Sequence, residues 1–103
     1  MLEPLLGTLN KENVLLYIHA RGEGYPRGVA KFFATDLRAI QNQFEKLEAG
    51  GVLFSRMVGN TRLYAFNPDY SFLVELKVLL DKVLSLYPEN EKELLEVGRR
   101  RSG

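Results

Sequence analysis

The stretch DLRAIQNQFEKLEAGGVLFSRMVGNTRLYAF, residues 36–66, contains two hydrophobic patterns of different period. In its first half, apolar residues follow one another at steps of three and four, at Leu37, Ile40, Phe44 and Leu47. That spacing predicts an amphipathic helix, which ends at the glycine pair that follows. In its second half, two segments rich in β-branched and aromatic residues flank the turn Gly59-Asn60, which predicts a β-hairpin. A helix therefore leads directly into a hairpin.

The two strands of this hairpin are VLFSRMV and TRLYAF. A glycine at the first central position of the turn favours type II′ geometry. Such a turn would set Arg56 opposite Leu63 and Met57 opposite Arg62. Both arginines would then lie near the outer end of the hairpin.

Two shorter helices are predicted before this stretch. Asn10 can cap a first helix that runs to about Arg21, and Pro26 suits the first turn of a second helix. Thr35 or Asp36 can cap the third helix, described above. The second and third helices, joined by a brief turn, are a helix-turn-helix candidate.

A longer helix is predicted after the hairpin, over residues 69–87, with Asn67 and Pro68 at its start. Its apolar residues are numerous enough for a central core helix, but they lie on more than one side, which favours a dimerisation helix. The predicted dimer interface is Phe72, Leu73, Leu76, Leu79, Leu80, Val83, Leu84 and Tyr87. Residues 88–103 are predicted to form a short helix ending at Gly98 and a basic, disordered tail.

The composition is that of one ordinary globular domain, with 103 residues, 46% hydrophobic and 26% charged. Because the chain has no cysteine and a single histidine, His19, we expect no disulfide, no metal site and no cofactor. It has no evident nucleophile with a positioned base and no phosphate-cradling glycine pattern, so we do not expect an enzyme. No apolar run approaches the length of a membrane span and no signal peptide is evident, which predicts a cytoplasmic protein.

Positive charge is concentrated in the middle of the chain. Residues 21–66 carry seven cations and four anions, 7 − 4 = +3, whereas each flank comes to −1. The predicted outer face of the third helix carries arginine, lysine and amide side chains, the groups that pair with guanine and adenine in the major groove. Solvent exposure alone explains such a face equally well, and Glu45 would repel a nearby phosphate.

The segment IQNQFEKLEAGGVLFSRMVGNTRLYAFNP resembles the third helix and wing of ArsR-like winged helix-turn-helix regulators. The likeness rests on the Leu47-Glu48 pair, the glycine that follows, the glycine turn with basic residues, and Tyr64 on the returning strand. It implies an α+β, mainly helical fold over residues 1–87, with a β-hairpin wing and a long C-terminal dimerisation helix. It also implies a dimeric, sequence-specific transcriptional regulator that binds double-stranded DNA.

The resemblance further implies which residues meet DNA. Helix 35–48 would read the major groove, and the wing, residues 54–64, would contact the backbone. The implied contacts are Thr35, Arg38, Ala39, Gln41, Asn42 and Gln43 on the helix, Arg56, Asn60, Thr61 and Arg62 on the wing, and Lys31 and Lys46 beside them. The chain departs from the pattern at Ala34, where such proteins often have glycine, and at Gly28, which lies inside the second helix. The metal sensing of many ArsR-like proteins is not implied, because their cysteine ligands are missing.

Two other classes of function remain open. The modest basic excess is compatible with a winged-helix domain that serves as a protein-interaction module. The segment NPDYSFLVELKVLLDKVL is also similar to the linker helix of winged-helix domains that precede nucleotidyltransferase domains. That likeness would make the chain a non-catalytic subunit of a toxin-antitoxin or nucleotidyltransferase-type complex, with a separate protein partner.

Overall fold

Short helices and one antiparallel sheet make up the chain in the computed structural model, which describes the backbone of residues 1–102 and the side chains of residues 1–97. The elements are α1 (Glu3–Leu6), α2 (Leu9–Arg21), β1 (Glu23–Gly24), α3 (Pro26–Phe32), α4 (Leu37–Ala49), β2 (Leu53–Val58), β3 (Thr61–Phe66), α5 (Leu73–Ser85) and α6 (Glu89–Ser102). They form a compact, mainly helical α+β domain in which the β2–β3 hairpin follows α4 and two helices follow the hairpin. This order resembles that of a winged helix-turn-helix.

The sheet has the strand order β1-β3-β2, and both pairings are antiparallel. The predicted register is confirmed, because Arg56 pairs with Leu63 and Met57 with Arg62. Gly59 has a φ of 61°, whereas Asn60, the next residue of the turn, does not have a positive φ. That combination is the one a type II′ turn requires.

The predicted helices α3 and α4 are found nearly as expected, and their N-terminal caps follow standard chemistry. The Asp36 carboxylate caps α4 by accepting a hydrogen bond from the Ala39 amide at 3.0 Å. The predicted cap of α2 at Asn10 is wrong. Thr8 caps that helix instead, and its Oγ1 accepts from the Lys11 amide at 3.0 Å.

Helix α5 begins at Leu73, four residues after the predicted start. The reason lies in Asn67, which shapes a turn rather than a helix cap. Its Oδ1 accepts from the Asp69 amide, and its Nδ2 donates to the carbonyl of Gly51, both at 3.0 Å. Asn67 therefore ties the exit of β3 to the corner between α4 and β2.

Helix α2 lies at the centre of the hydrophobic core. Val14, Leu16 and Ile18 are completely buried, and side chains from the later elements pack against them. These include Ile40 and Phe44 of α4, Leu53 of β2, Leu80 of α5 and Leu95 of α6. Helix α6 is thus part of the same core.

Helix α6 continues past Gly98, where the sequence predicted its end. The predicted basic tail falls on residues 99–103, whose side chains lie outside the described part of the chain. Within residues 1–102, every helix is too short or too polar to cross a lipid bilayer.

Replacing Gly24 with alanine is expected to lower the free energy of unfolding by about 1–2 kcal/mol, because β1 crosses directly over α2. A Cβ atom at Gly24 would lie 2.8 Å from Cε1 of Tyr17 and 3.1 Å from Cδ1 of Ile18. Urea unfolding would measure the loss, with Glu23→Ala as the neighbouring, solvent-exposed control. Equal midpoints for both variants would contradict the close approach.

Replacing Ala34 with glycine is expected to raise the free energy of unfolding by about 0.5–1 kcal/mol. Ala34 has a φ of 51°, a left-handed conformation that costs about 1–2 kcal/mol for a residue with a Cβ, partly offset by the entropy of glycine in the unfolded chain. Ala39→Gly, the same change inside α4, should instead lower stability. A destabilised Ala34→Gly variant would show that the turn does not have this conformation.

Candidate nucleic-acid interface

The outer face of α4 and the tip of the hairpin meet at one crevice of about 360 Å³. The residues that line it come from the start of α3, from α4 and from the hairpin: Pro26, Arg27, Leu37, Gln41, Glu45, Asn60, Thr61, Arg62 and Tyr64. The outer part of α4 and the tip of the hairpin that follows it therefore share a largely polar surface.

Most of the predicted reading residues on α4 are presented to solvent. Arg38, Gln41, Asn42 and Lys46 are exposed. Ala39 is half-buried, and so is Thr35, whose hydroxyl donates to the carbonyl of Phe33 at 3.1 Å. Glu45 is exposed as well, so the helix offers five polar side chains on its free side.

Gln43, another predicted DNA contact, does not lie on that exposed face. Its side chain is turned into the protein and the residue is only 8% exposed. The reason is helical spacing, since Gln43 lies three residues after Ile40 and four before Leu47, both in the core. Its Oε1 has no hydrogen-bond partner among the described residues.

Arg62 is held against α4 through a short chain of polar contacts. Its Nη1 donates to Oγ of Ser55 at 3.1 Å, and that hydroxyl donates to Oε2 of Glu48 at 2.7 Å. The ring of Tyr64 packs against the ring of Phe44, with 4.5 Å between the two ring centres. Burial raises the pKa of Tyr64, and the nearby Glu48 carboxylate raises that pKa further. These contacts fix the hairpin beside α4.

The other predicted hairpin and flanking cations lie on the opposite side of the sheet. Arg56 lies 3.6 Å from the carboxylate of Glu23 on β1, an exposed ion pair of the kind that contributes little to stability. Lys31 lines a second depression of about 410 Å³, between α3 and the hairpin.

Arg27 was not among the residues predicted to bind DNA, yet it lines both depressions. It is exposed at the start of α3. The pairing of β1 with β3 brings that start to the hairpin, and a two-residue strand leaves no alternating pattern from which the pairing could be predicted. The sequence offered one indication for Arg27, which is that it belongs to the basic middle segment, residues 21–66.

The exposed charge of the middle segment, residues 21–66, is positive but moderate. Of the seven cations in residues 21–66, Arg21 is half-buried and bonded to α6, which leaves six exposed ones: Arg27, Lys31, Arg38, Lys46, Arg56 and Arg62. Of the four anions, Glu48 is likewise half-buried and bonded to Ser55, so the exposed excess is 6 − 3 = +3. Such an excess attracts a polyanion without holding it tightly.

The predicted dimer residues divide between the core and the surface. Leu80, Val83 and Leu84 are buried within the protomer. Leu76 and Tyr87 pack against the core, whereas Leu73 and Leu79 are half-buried and Phe72 is exposed. Other apolar residues at or near α5 are more exposed, namely Val74, Val78 and Leu86.

Within the described residues, no three His, Cys, Asp or Glu side chains cluster closely enough to hold a metal ion. His19 is engaged locally, with Nε2 lying 2.6 Å from Oδ1 of Asp81 on α5.

Comparison of the chain with protein families, with curated proteins and with solved structures gives no match in any of the three. The case for a function therefore rests on the surface formed by α4 and the hairpin.

Proposed function

We propose that this protein is a sequence-specific regulator that binds double-stranded DNA through an ArsR-like winged helix-turn-helix. One observation carries the proposal. Gln41 and Glu45 on α4 line the same crevice as Asn60, Thr61 and Arg62 at the tip of the hairpin. A helix in the major groove with a basic hairpin on the adjacent backbone needs this juxtaposition.

The roles of the side chains follow from their position and chemistry. Arg38, Gln41 and Asn42 point away from the core on α4, and their hydrogen-bonding groups match guanine and adenine edges. Lys46 and Arg62 lie at the margins and would contact phosphates, which position the protein without reading sequence. The side chains of Thr61 and Asn60, at the hairpin tip, would donate hydrogen bonds to phosphates of the same DNA strand.

Two copies would present two α4 helices to successive major grooves, about 34 Å apart. The dimer would double the modest basic excess of one protomer. It would also explain why the apolar surface of α5 exceeds what the protomer covers.

Salt dependence tests the electrostatic part of the proposal. If each protomer contacts about three phosphates, log K should fall against log salt with a slope of about −5 for a dimer. Fluorescence anisotropy of a labelled random-sequence duplex, titrated from 50 mM to 300 mM salt, measures this slope. A slope near zero would contradict the proposed phosphate contacts.

A protein-interaction module is the second candidate, and a specific observation favours it. The hairpin exposes Phe54, Met57 and Val58, which are 44%, 54% and 40% accessible. Apolar side chains suit a protein surface better than a phosphate backbone. Charge reversal at Arg38 and Arg62 separates the two candidates, because it should abolish DNA binding but leave an apolar hairpin contact with a protein intact.

A further inference from the structure

A mainly apolar cleft of about 500 Å³, called the α6 cleft below, opens between α2, α3 and α6. It shares no lining residue with the crevice at α4. Its apolar wall consists of Leu9 from α2, Phe32 and Phe33 from the end of α3, and Pro88, Leu94 and Leu95 from α6 and the residue before it. Clefts of this size with apolar walls are typical of small-molecule sites.

The wall of the α6 cleft is partly aromatic and open to solvent. Leu9 and Leu94 are 53% and 57% exposed, although they flank the same cleft. The rings of Phe32 and Phe33 meet edge to face, with 4.9 Å between their centres. Aromatic rings pack well against other planar groups. The wall therefore suits a flat apolar body.

One face of α2 supplies the polar side chains of the α6 cleft. Leu9, Glu12 and Asn13 stand at positions i, i+3 and i+4, so they lie on the same side of the helix. Asn13 is only 7% exposed, yet its side-chain amide has no hydrogen bond to another described residue. An unpaired buried amide costs free energy that a ligand with a matching polar group recovers.

The electrostatic potential of the α6 cleft is negative. Glu12 and Glu91 line it, and no described lysine, arginine or histidine does. The buried Glu12 carboxylate accepts from the Met1 amino group at 3.1 Å and from the Leu2 amide at 2.6 Å. One ammonium group thus faces two carboxylates, 1 − 2 = −1. Burial raises the pKa of Tyr87, and the carboxylates of Glu12 and Glu91 raise that pKa further.

We propose that the α6 cleft binds a small aromatic amine. The ring of the ligand packs on Phe32 and Phe33, and its ammonium group donates to the amide oxygen of Asn13 in the negative potential of Glu12 and Glu91. An anionic ligand would meet two carboxylates, and a hydrocarbon would leave Asn13 unpaired. The site goes beyond the proposed function and does not depend on DNA binding.

An NMR titration of the full-length, ¹⁵N-labelled protein tests the site. Tryptamine is the probe, and indole-3-propionate, which has the same ring but the opposite charge, is its matched control. We expect tryptamine to bind with a Kd below about 1 mM and to shift the amide signals of Leu9, Phe33 and Leu94. Indole-3-propionate should bind at least about 10-fold more weakly.

Two results of this titration would overturn the proposal. One is equal or stronger binding of indole-3-propionate, which would show that the cleft selects the ring without the charge. The other is a folded protein in which tryptamine leaves the signals of the cleft unshifted, whether it shifts signals elsewhere or none. Both results would leave DNA binding to its own test, because no DNA is present.

Substitutions in the α6 cleft identify the groups that recognise the amine. We expect Asn13→Leu to weaken tryptamine binding about 5- to 10-fold, whereas Asn10→Leu, the same change outside the cleft, should alter it less than about 2-fold. The exposed Glu91 allows a test that does not disturb the core. Glu91→Gln should weaken binding about 2- to 3-fold, and Glu75→Gln on α5 should leave it unchanged. Unaltered tryptamine affinity in both Asn13→Leu and Glu91→Gln would overturn the proposal.

Discussion

Replacing Arg38 with glutamate is expected to lower affinity for the preferred DNA site by about 100-fold or more. Arg38 is exposed on the free side of α4, and no ion pair engages it among the described residues. A bidentate contact to guanine is worth about 1–3 kcal/mol, the proposed dimer would make this contact twice, and the introduced carboxylate repels phosphate. Anisotropy with the selected duplex at constant salt measures the loss.

Controls separate this loss from a general effect of charge or folding. Lys92→Glu changes the net charge equally but lies on α6, away from the crevice, and should alter affinity by less than about 3-fold. Arg38→Ala should relax sequence preference at one base pair, whereas Arg62→Ala should weaken all sequences equally and make the salt slope shallower by about 1 per contact. Unchanged affinity in Arg38→Glu, with an unchanged thermal midpoint, would exclude α4 as the reading helix.

Replacing Arg21 with alanine is expected to lower the free energy of unfolding by about 2–4 kcal/mol. Its guanidinium donates to the carbonyls of Leu95 at 2.9 Å and Leu94 at 3.2 Å, and to the hydroxyl of Tyr17 at 2.9 Å. It also lies 4.4 Å from the centre of the Tyr17 ring and 5.2 Å from that of Phe32. Charge-assisted hydrogen bonds and cation–π contacts in a half-buried site account for that magnitude. Urea unfolding followed by circular dichroism measures it.

Two further substitutions sharpen the test of Arg21. Lysine keeps the charge but lacks the planar fork, so Arg21→Lys should recover less than half of the lost stability. Arg27→Ala removes an exposed arginine and should change the free energy of unfolding by less than about 0.5 kcal/mol. If Arg21→Ala and Arg27→Ala unfold at the same urea concentration, Arg21 does not hold α6 against α2.

The elements that the sequence predicted well are those whose signals are local. The three- and four-residue spacing of α4 and the alternation on either side of Gly59-Asn60 need no knowledge of distant neighbours. Their bounds and the hairpin register were therefore predicted nearly correctly. The exposed positions of Arg38 and Asn42 follow from the same periodicity.

The features that were missed depend on contacts between distant segments. Strand β1 exists because it pairs with β3, and Arg27 reaches the crevice through that pairing. Gln43 lies at the boundary of the apolar face, where periodicity alone does not separate buried from exposed positions. Helix α5 has apolar residues on several sides, and only its packing on α2 shows that Leu80 is inside and Val78 outside.

Selection from a random pool of double-stranded DNA, followed by sequencing of the retained molecules, tests the central claim most directly. We expect retention of an inverted repeat whose half-sites are about one helical turn apart, with retention decreasing steeply as salt rises. Retention of no DNA at low salt, by protein that is folded by circular dichroism, would contradict the account and favour the protein-interaction module.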